Sequence, residues 1–167
     1  MRINSLGRHV IYGLSGFLLL FSLQACAETG QEKIDEILQL KEEPAGVVFE
    51  IVTGRQDGLE WALPLVKDQI DQLRKRFPDL DVAIVTHGRE QFALQNQKKE
   101  DNKKVHSLTQ QLIGKDIPLH VCGTHAEWRG VSEEDFPEYV NVAATGPAQI
   151  NDYISVGYIL VKISSKP

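Results

Sequence analysis

The sequence predicts an α/β fold: a three-layer α/β/α domain whose mainly parallel sheet has about five strands. Two observations favour it. Short runs of β-branched residues alternate along the chain with longer stretches in which apolar residues recur every three or four positions. Glycine and small polar residues follow most of the short runs. Strands that alternate with helices pair in parallel and are covered by helices on both faces, as in doubly wound folds.

The short runs are predicted as the strands. The first is apolar on both faces and lies between Gly46 and Gly54, which is typical of a strand buried in a parallel sheet. The last contains Gly157 and is expected to complete the sheet. The predicted strands cover residues 47–52, 82–85, 117–121, 140–144 and 156–163.

The longest helix is predicted between the first two strands. Its apolar residues, from Leu59 to Phe77, form one stripe at spacings of three and four, and Pro78 ends it. Pro64 lies inside this pattern, where it marks either a first turn or a kink. The stripe predicts a helix that packs one face on the sheet.

Shorter helices are predicted farther along the chain. Residues 105–112 carry one that ends at Gly114, with His106 on its solvent side. Ser132 is the N-cap of another, because three acidic residues follow it in the first turn. Residues 147–154 carry the last helix.

Composition and charge argue against some classes of function. Hydrophobic residues make up 42% of the chain and charged residues 25%, as in an ordinary globular domain. The formal net charge of −5 argues against a nucleic-acid partner, which needs clustered Lys and Arg. The basic run within residues 98–104 is interrupted by Glu100 and Asp101, and is predicted as a solvated helix face or loop.

Residues 1–27 predict export. Arg2 and Arg8 form a basic n-region, and residues 10–23 are an apolar stretch of signal-peptide length. Two interpretations of its end stay open: cleavage after Ala27, or a bacterial lipobox that makes a lipidated Cys26 the first residue. An uncleaved anchor is the third alternative. Each places the domain outside the cytoplasm, so we expect a periplasmic protein whose membrane contact is at most a lipid anchor.

The remaining chain is divided at residue 46. A length of 167 residues suits one domain rather than two. Residues 28–45 are polar and acidic and are predicted to be a linker with one helical segment, which Pro44 ends. Residues 46–167 are predicted to form the single α/β domain.

Cys122 is the strongest candidate functional residue. The chain has two cysteines, and cleavage or lipidation at Cys26 leaves Cys122 without an internal partner. An unpaired thiol in an oxidising compartment indicates intermolecular pairing or a reactive group. Cys122 also directly follows a predicted strand, where backbone N–H groups at the start of the next helix stabilise a thiolate. The alternative is a small, buried and inert side chain.

Other polar residues end the strands at the same edge of the sheet, where ligands of open α/β sheets bind. His125 is expected to add positive charge or move a proton near Cys122, and His87 is the second such candidate. Trp128 and Arg129 indicate either an anion pocket or a packed Trp beside a solvated Arg. Five further residues are expected to line the pocket: Gly88, Gly123, Thr124, Thr145 and Gly146.

Metal and cofactor sites are less favoured. His120, Cys122, His125 and His87 offer nitrogen and sulfur ligands, but their spacing matches no standard motif, so no metal is predicted. The P-loop, dinucleotide-binding and nucleophile-elbow motifs are absent, as is C-x-x-C, so no cofactor is expected. A thiol that acts alone suits covalent carriage of a group, or capture of a small sulfur species.

Three segments resemble the DsrE/DsrF-like proteins. They are VAIVTHG at 82–88, PLHVCG at 118–123 and TGPAQINDYISVGYILV at 145–161. The likeness spans residues 46–163, and it implies a five-stranded, flavodoxin-type α/β/α domain that often assembles as homo- or hetero-oligomers. It also implies a strand-end cysteine that carries sulfane sulfur as a persulfide and relays it to a partner, with Cys122 as the acceptor. The resemblance also implies that His87 and Gly88 belong to the pocket.

The expected function is periplasmic sulfur handling on a single cysteine. Cys122 accepts or relays sulfane sulfur, tuned by His125 or His87, in a sulfurtransferase or a sulfur carrier. The expected partners are a sulfur donor or acceptor protein or a small sulfur species, and a homo-oligomer is expected. The alternative is a non-catalytic periplasmic module of the same fold that binds a small ligand or a metal. A subunit that serves only assembly is the third hypothesis.

Overall fold

The computed structural model describes residues 30–164. The predicted export segment and the lipidation of Cys26 lie outside these residues. Five strands form one sheet in this part of the chain, and every neighbouring pair is parallel. They are β1 (Gly46–Ile51), β2 (Val82–Thr86), β3 (Leu119–Cys122), β4 (Asn141–Ala143) and β5 (Tyr158–Ile163). The predicted three-layer α/β fold is confirmed.

Helices precede, connect and cover these strands. The α-helices of the described residues are α1 (Gly30–Leu38), α2 (Gly58–Arg76), α3 (Lys103–Ile113), α4 (Gly123–Glu127) and α5 (Gly146–Ser155). Short 3₁₀ helices lie at Arg89–Leu94, Asn96–Lys98 and Glu133–Asp135. The helix predicted after Ser132 is a single 3₁₀ turn, Glu133–Asp135. A capping box between Ser132 and Asp135 stabilises its start. None of the helices within residues 30–164 has both the length and the apolar character to cross a membrane.

The strand order is β4-β3-β2-β1-β5. The chain therefore steps outward from β1 to β4 and then returns across the sheet to β5. Because β–α–β connections are right-handed, a reversal of direction moves the connecting helix to the opposite face of the sheet. This is why α2 and α3 pack on one face, together with α1, while α5 packs on the other.

The two faces of the sheet are unequally covered. Phe49 and its neighbours on alternate positions form the larger core with α1, α2 and α3. Val48, Ala83 and Val85 point the other way and meet Ile150 of α5 in a much smaller core. We call this second side of the sheet the α5 face. Since successive residues of a strand alternate between faces, the α5 face also receives the polar residues at the strand ends that form the site.

The stretch predicted as a linker contains α1, which packs on the domain. The helical segment expected within residues 28–45 is present, but Ile34 and Ile37 on it are 0% and 1% exposed. Both side chains belong to the main core, where α1 packs against α2 and β5. The polar composition of this stretch reflects the outer face of an amphipathic helix, so α1 is part of the domain.

The start of the last strand also differs from the prediction. Val156 and Gly157 belong to the turn after α5, since their N–H groups donate to the carbonyls of Tyr153 and Ile154. The last strand therefore begins at Tyr158, and the apolar Val156 is exposed. Pro64 lies inside α2 and not at its start.

His106 is buried, contrary to the predicted solvent position. It is 2% exposed on α3, and its ring hydrogen-bonds at both nitrogens. The Ala93 carbonyl only accepts, so Nε2–H donates to it at 3.1 Å and Nδ1 accepts from the Tyr139 hydroxyl. Burial lowers the pKa of His106, so the neutral ring is the form the fold prefers.

Candidate functional site

Cys122 lies where β3 meets α4. It is the last residue of the strand and the N-cap of the helix, and its Sγ accepts a hydrogen bond from the backbone N–H of His125 at 3.4 Å. The residue is 5% exposed and therefore buried, as the alternative of a small buried side chain expects. Among residues 30–164 it is the only cysteine, and it is free. This hydrogen bond holds the sulfur in one orientation at the start of α4.

The backbone of Cys122 is held by a side chain. Its N–H donates to Oε1 of Gln91 at 2.8 Å, and its carbonyl accepts from Nε2 of the same amide at 3.3 Å. Gln91 is fully buried in the 3₁₀ helix that follows β2. Sequence reasoning did not single out Gln91, since the segment around it shows neither helical nor strand periodicity.

The ring of His125 is fixed one turn after the thiol. Its Nδ1–H donates to the backbone carbonyl of His87 at 2.8 Å, because a carbonyl only accepts. In the neutral ring this tautomer leaves Nε2 as the basic nitrogen. Phe92 packs edge-on against the imidazole, with ring centroids 5.2 Å apart. The structure therefore brings His125 to the same edge as Cys122, as predicted from their spacing.

His87 lies on the neighbouring strand at the same level. The last paired positions of β2 and β3 are Thr86 and Val121, so His87 and Cys122 each follow by one residue. Alternation then directs both side chains to the α5 face. The three predicted residues at the centre of the site, Cys122, His125 and His87, thus come together at the carboxyl ends of β2 and β3.

Glu50 is a further polar residue at this edge. His87 Nε2–H donates to its carboxylate at 2.8 Å, and Lys162 Nζ lies 3.7 Å from the other oxygen. The hydrogen bond from His87 is the main cause that holds the pKa of Glu50 below its ordinary value, with the charges of His87 and Lys162 adding to it and burial opposing it. A signal existed in the sequence, because Glu50 is a charge inside the apolar run VVFEIV.

The start of α5 packs directly on His87. A Cβ on Gly146 would lie 2.5 Å from the Cβ of His87, so only glycine allows this approach. Thr145 caps α5 by accepting the N–H of Ala148 at 3.1 Å. Thr145 and Gly146, predicted as pocket residues, thus place the N-terminus of a ten-residue helix beside His87.

The other predicted pocket residues have contacts within the chain. Gly88 N–H donates to Glu90 at 2.7 Å, and a Cβ there would meet the Glu90 carboxylate at 2.4 Å. Thr124 donates from both its N–H and its hydroxyl to the Ala144 carbonyl. A Cβ on Gly123 would lie 3.0 Å from the carbonyl of Ala143. Gly123 and Thr124 thus join the ends of β3 and β4 beside Cys122, whereas Gly88 belongs to the contacts of Glu90 after β2.

The histidines considered for a metal site have separate partners. His120 points to the α5 face, where its Nε2 hydrogen-bonds the Tyr153 hydroxyl at 2.9 Å. Burial lowers the pKa of His120, which favours its neutral form. His87 is engaged by Glu50 and His125 by a backbone carbonyl. Within residues 30–164, no three His, Cys, Asp or Glu side chains are grouped to hold a metal ion.

Trp128 and Arg129 lie just beyond α4, at the surface. Trp128 is 78% exposed and its ring centroid is 6.4 Å from that of His125. The expectation of a packed Trp is wrong, because α4 ends at Glu127 and directs the following residues outward. An exposed indole therefore lies next to the histidine that follows the thiol.

The comparison of sequences decides the family. The DsrE/DsrF-like family matches residues 50–163, which is more than half of the chain and includes every strand-end residue described above. The chain belongs to the DsrE/DsrF-like family. No functionally curated protein matches it.

Solved structures agree with this family fold. A Methanobacterium thermoautotrophicum protein of unknown function superposes with a TM-score of 0.56 at 18% identity, over 70% of this chain and 97% of its own. The ychN protein from E. coli superposes with a TM-score of 0.54 at 16% identity, over 71% of this chain and 99% of its own. At these identities the likeness establishes the fold of the DsrE/DsrF-like chain described here and leaves its chemistry to the site.

Proposed function

We propose that this chain is an exported sulfur-handling protein in which Cys122 accepts sulfane sulfur and passes it on. Membership of the DsrE/DsrF-like family supports sulfur relay as the general class of activity. The observation that carries the proposal is the position of the thiol, which ends β3, receives the His125 N–H at 3.4 Å and neighbours His87. A single cysteine with these neighbours has what a persulfide carrier needs.

The transfer is a nucleophilic displacement at sulfur. The Cys122 thiolate attacks the outer sulfur of a donor persulfide R–S–SH, an S–S bond forms at Cys122, and the donor S–S bond breaks to release R–S⁻. Cys122 then carries –S–SH. An acceptor thiolate then attacks the outer sulfur of this persulfide, and the Cys122 thiolate is released. Cys122 supplies the electron pair of the new S–S bond and R–S⁻ keeps the pair of the broken one, so the exchange needs no external oxidant or reductant.

The neighbouring histidines handle the proton and the charge. Nε2 of His125 is the basic nitrogen in the neutral tautomer the structure imposes, and it is suited to take the thiol proton before attack. His87 is held by Glu50 at the level of the thiol on the neighbouring strand end, and its Nδ1 is then a second proton acceptor. The released R–S⁻ then recovers a proton from the same pair of groups.

Location, partners and assembly belong to the same proposal. The basic n-region and apolar stretch of residues 1–27 support export to the periplasm, with a lipid anchor if Cys26 is the modified residue. The small exposed fraction of Cys122 favours a small sulfur species as donor, or a partner whose reactive sulfur lies on a protruding tip. The family resemblance supports a homo-oligomer.

Mass spectrometry of the purified chain tests the proposal. The full-length protein is expressed with its N-terminal segment, recovered from periplasmic and membrane fractions, and measured before and after polysulfide treatment and again after reductant. We expect a reversible gain of one or more sulfur atoms that peptide mapping places on Cys122. The starting mass distinguishes a free from a lipidated N-terminus, and native spectra give the number of subunits.

Cys122→Ser is the decisive variant. It should lose all sulfur loading while it keeps the unfolding transition of the wild-type chain. Equal loading in wild type and Cys122→Ser, or a wild-type thiol that polysulfide leaves unchanged, would refute the carrier. An inert thiol would favour the alternative module, whose ligand or metal affinity survives the loss of Cys122.

A further inference from the structure

The hydrogen bonds between Gln91 and the backbone of Cys122 take the place of hydrogen bonds between neighbouring strands. The Pro118 carbonyl accepts from Ile84 of β2, and groups two residues apart on a strand point in the same direction. The N–H and carbonyl of Cys122 therefore face the β2 side as well. β2 ends at Thr86, one residue before the position that would pair with Cys122. The amide of Gln91 supplies both an acceptor and a donor in the space beyond that end.

The segment that carries Gln91 is itself clamped to the sheet. Glu90, the preceding residue, is fully buried and accepts four hydrogen bonds. Two come from Thr53 after β1, one from the Thr86 hydroxyl and one from the Gly88 N–H, all between 2.7 and 3.0 Å. A buried carboxylate with this many donors is held firmly. Glu90 thus ties the ends of β1 and β2 together, and Gln91 extends the tie to β3.

The consequence concerns the direction of the thiol. The extended backbone of Cys122, with φ −89° and ψ 111°, is what lets its Sγ receive the His125 N–H as an N-cap. A strand end without a partner frays, and the sulfur then loses this donor. Both hydrogen bonds of Gln91 to Cys122 are made to the backbone, so its effect on the chemistry passes through the orientation of the residue.

We propose that Gln91 is the positioning residue of Cys122, which holds the thiol in the geometry required for sulfur transfer. This inference rests on the proposed function for the reaction it serves. The orientation itself can be tested with a reagent that any cysteine thiolate attacks, so that the two proposals fail separately.

The test measures the rate constant for the alkylation of Cys122 by iodoacetamide at one fixed pH. Gln91→Met keeps the length and burial of the side chain but removes both hydrogen bonds, and Gln91→Asn keeps the amide one methylene too short. Gln69→Met is the matched control, because Gln69 is also a buried amide but lies on α2, away from Cys122. Far-UV circular dichroism and urea unfolding establish that each variant is folded.

We expect the rate constant for alkylation to fall by about tenfold in Gln91→Met and Gln91→Asn, because the thiol is then no longer held in one orientation. Gln69→Met should keep the wild-type rate constant. A purely structural role would lower stability in the Gln91 variants without changing the rate constant, and that result would overturn the proposal. Sulfur loading by polysulfide should fall in parallel with the rate of alkylation.

A second measurement uses the wild-type chain, so it does not depend on the folding of a variant. The side-chain amide resonances of Gln91 should shift when Cys122 is alkylated, because the amide is hydrogen-bonded to the backbone of Cys122. Resonances that stay constant after alkylation would overturn the inference. Normal positioning without sulfur loading would instead refute only the proposed function.

Discussion

Glu50 is a charged residue within an apolar strand, and its carboxylate lies between basic groups from two neighbouring strands. His87 donates to it from β2, and Lys162 approaches it from β5. Both favour the ionised carboxylate, and so the pKa of Glu50 lies below its ordinary value despite partial burial. The charge therefore contributes to the stability of the edge that holds the site.

Glu50→Gln should lower the free energy of unfolding by roughly 1 kcal/mol at neutral pH, because the neutral amide loses a charge-assisted hydrogen bond. The folded-state pKa is below the unfolded value of 4.5. The contribution is therefore present above pH 4.5 and is lost as the pH falls through the folded-state pKa. Urea unfolding of both chains across this range measures the difference.

The exposed Glu138 provides the control for this substitution. Glu138→Gln should leave the free energy of unfolding within a few tenths of a kcal/mol, roughly, of wild type at every pH. If the difference between Glu50→Gln and wild type stayed constant into acid, the ionised pair could not be its cause.

At the scale of elements, α1 decides where the domain begins. Its outward positions are polar, but its inward residues Ile34 and Ile37 lie against α2 and β5. A helix attached only through a linker would bury no such side chains. The amphipathic pattern was visible in the sequence, yet it did not reveal whether the apolar side met the core.

Ile34→Ala should destabilise the chain by roughly 2–4 kcal/mol, since it removes a fully buried side chain and leaves a cavity. Leu40→Ala is the matched control, because Leu40 follows α1 and is exposed, so its truncation should cost less than about 1 kcal/mol. Both values come from urea unfolding monitored by circular dichroism. Equal and small effects of the two substitutions would return residues 28–45 to the status of a linker.

At the scale of the whole molecule, two buried histidines join distant parts of the fold. His106 connects α3 to Ala93 and to Tyr139, and His120 connects β3 to α5. Burial lowers the pKa of each ring. Both are folded in the neutral form, and protonation would place a positive charge where the structure offers little to compensate it.

The free energy of unfolding should therefore fall in mild acid. The folded-state pKa of each histidine is below the unfolded value of 6.5, so their contribution is complete above pH 6.5 and is lost as the pH falls toward the folded-state pKa. His106→Gln, which can still donate and accept, should flatten this decline, and His120 should account for part of what remains. Urea unfolding as a function of pH measures it, and an identical slope in the variant would contradict the role given to His106.

Local pattern was enough to predict most of the elements and the centre of the site. The periodicity of apolar residues distinguishes strands from helices because burial follows the geometry of each element. The carboxyl ends of parallel strands share one edge, so the order of strands and helices alone predicts that Cys122, His87 and His125 lie together. The start of β5 and the burial of His106 could not be predicted in this way. Whether a residue at such a position is buried depends on which other elements pack against it.

The sequence by itself determined the order and type of most of the elements, the family and the edge at which the thiol lies. Only the tertiary structure decided which side chains meet there. Gln91 reaches Cys122 across 31 residues and Glu50 reaches His87 across 37, and both contacts depend on strand order and register. Register is set by packing over the whole sheet, whereas periodicity reports only on the nearest turns of the chain.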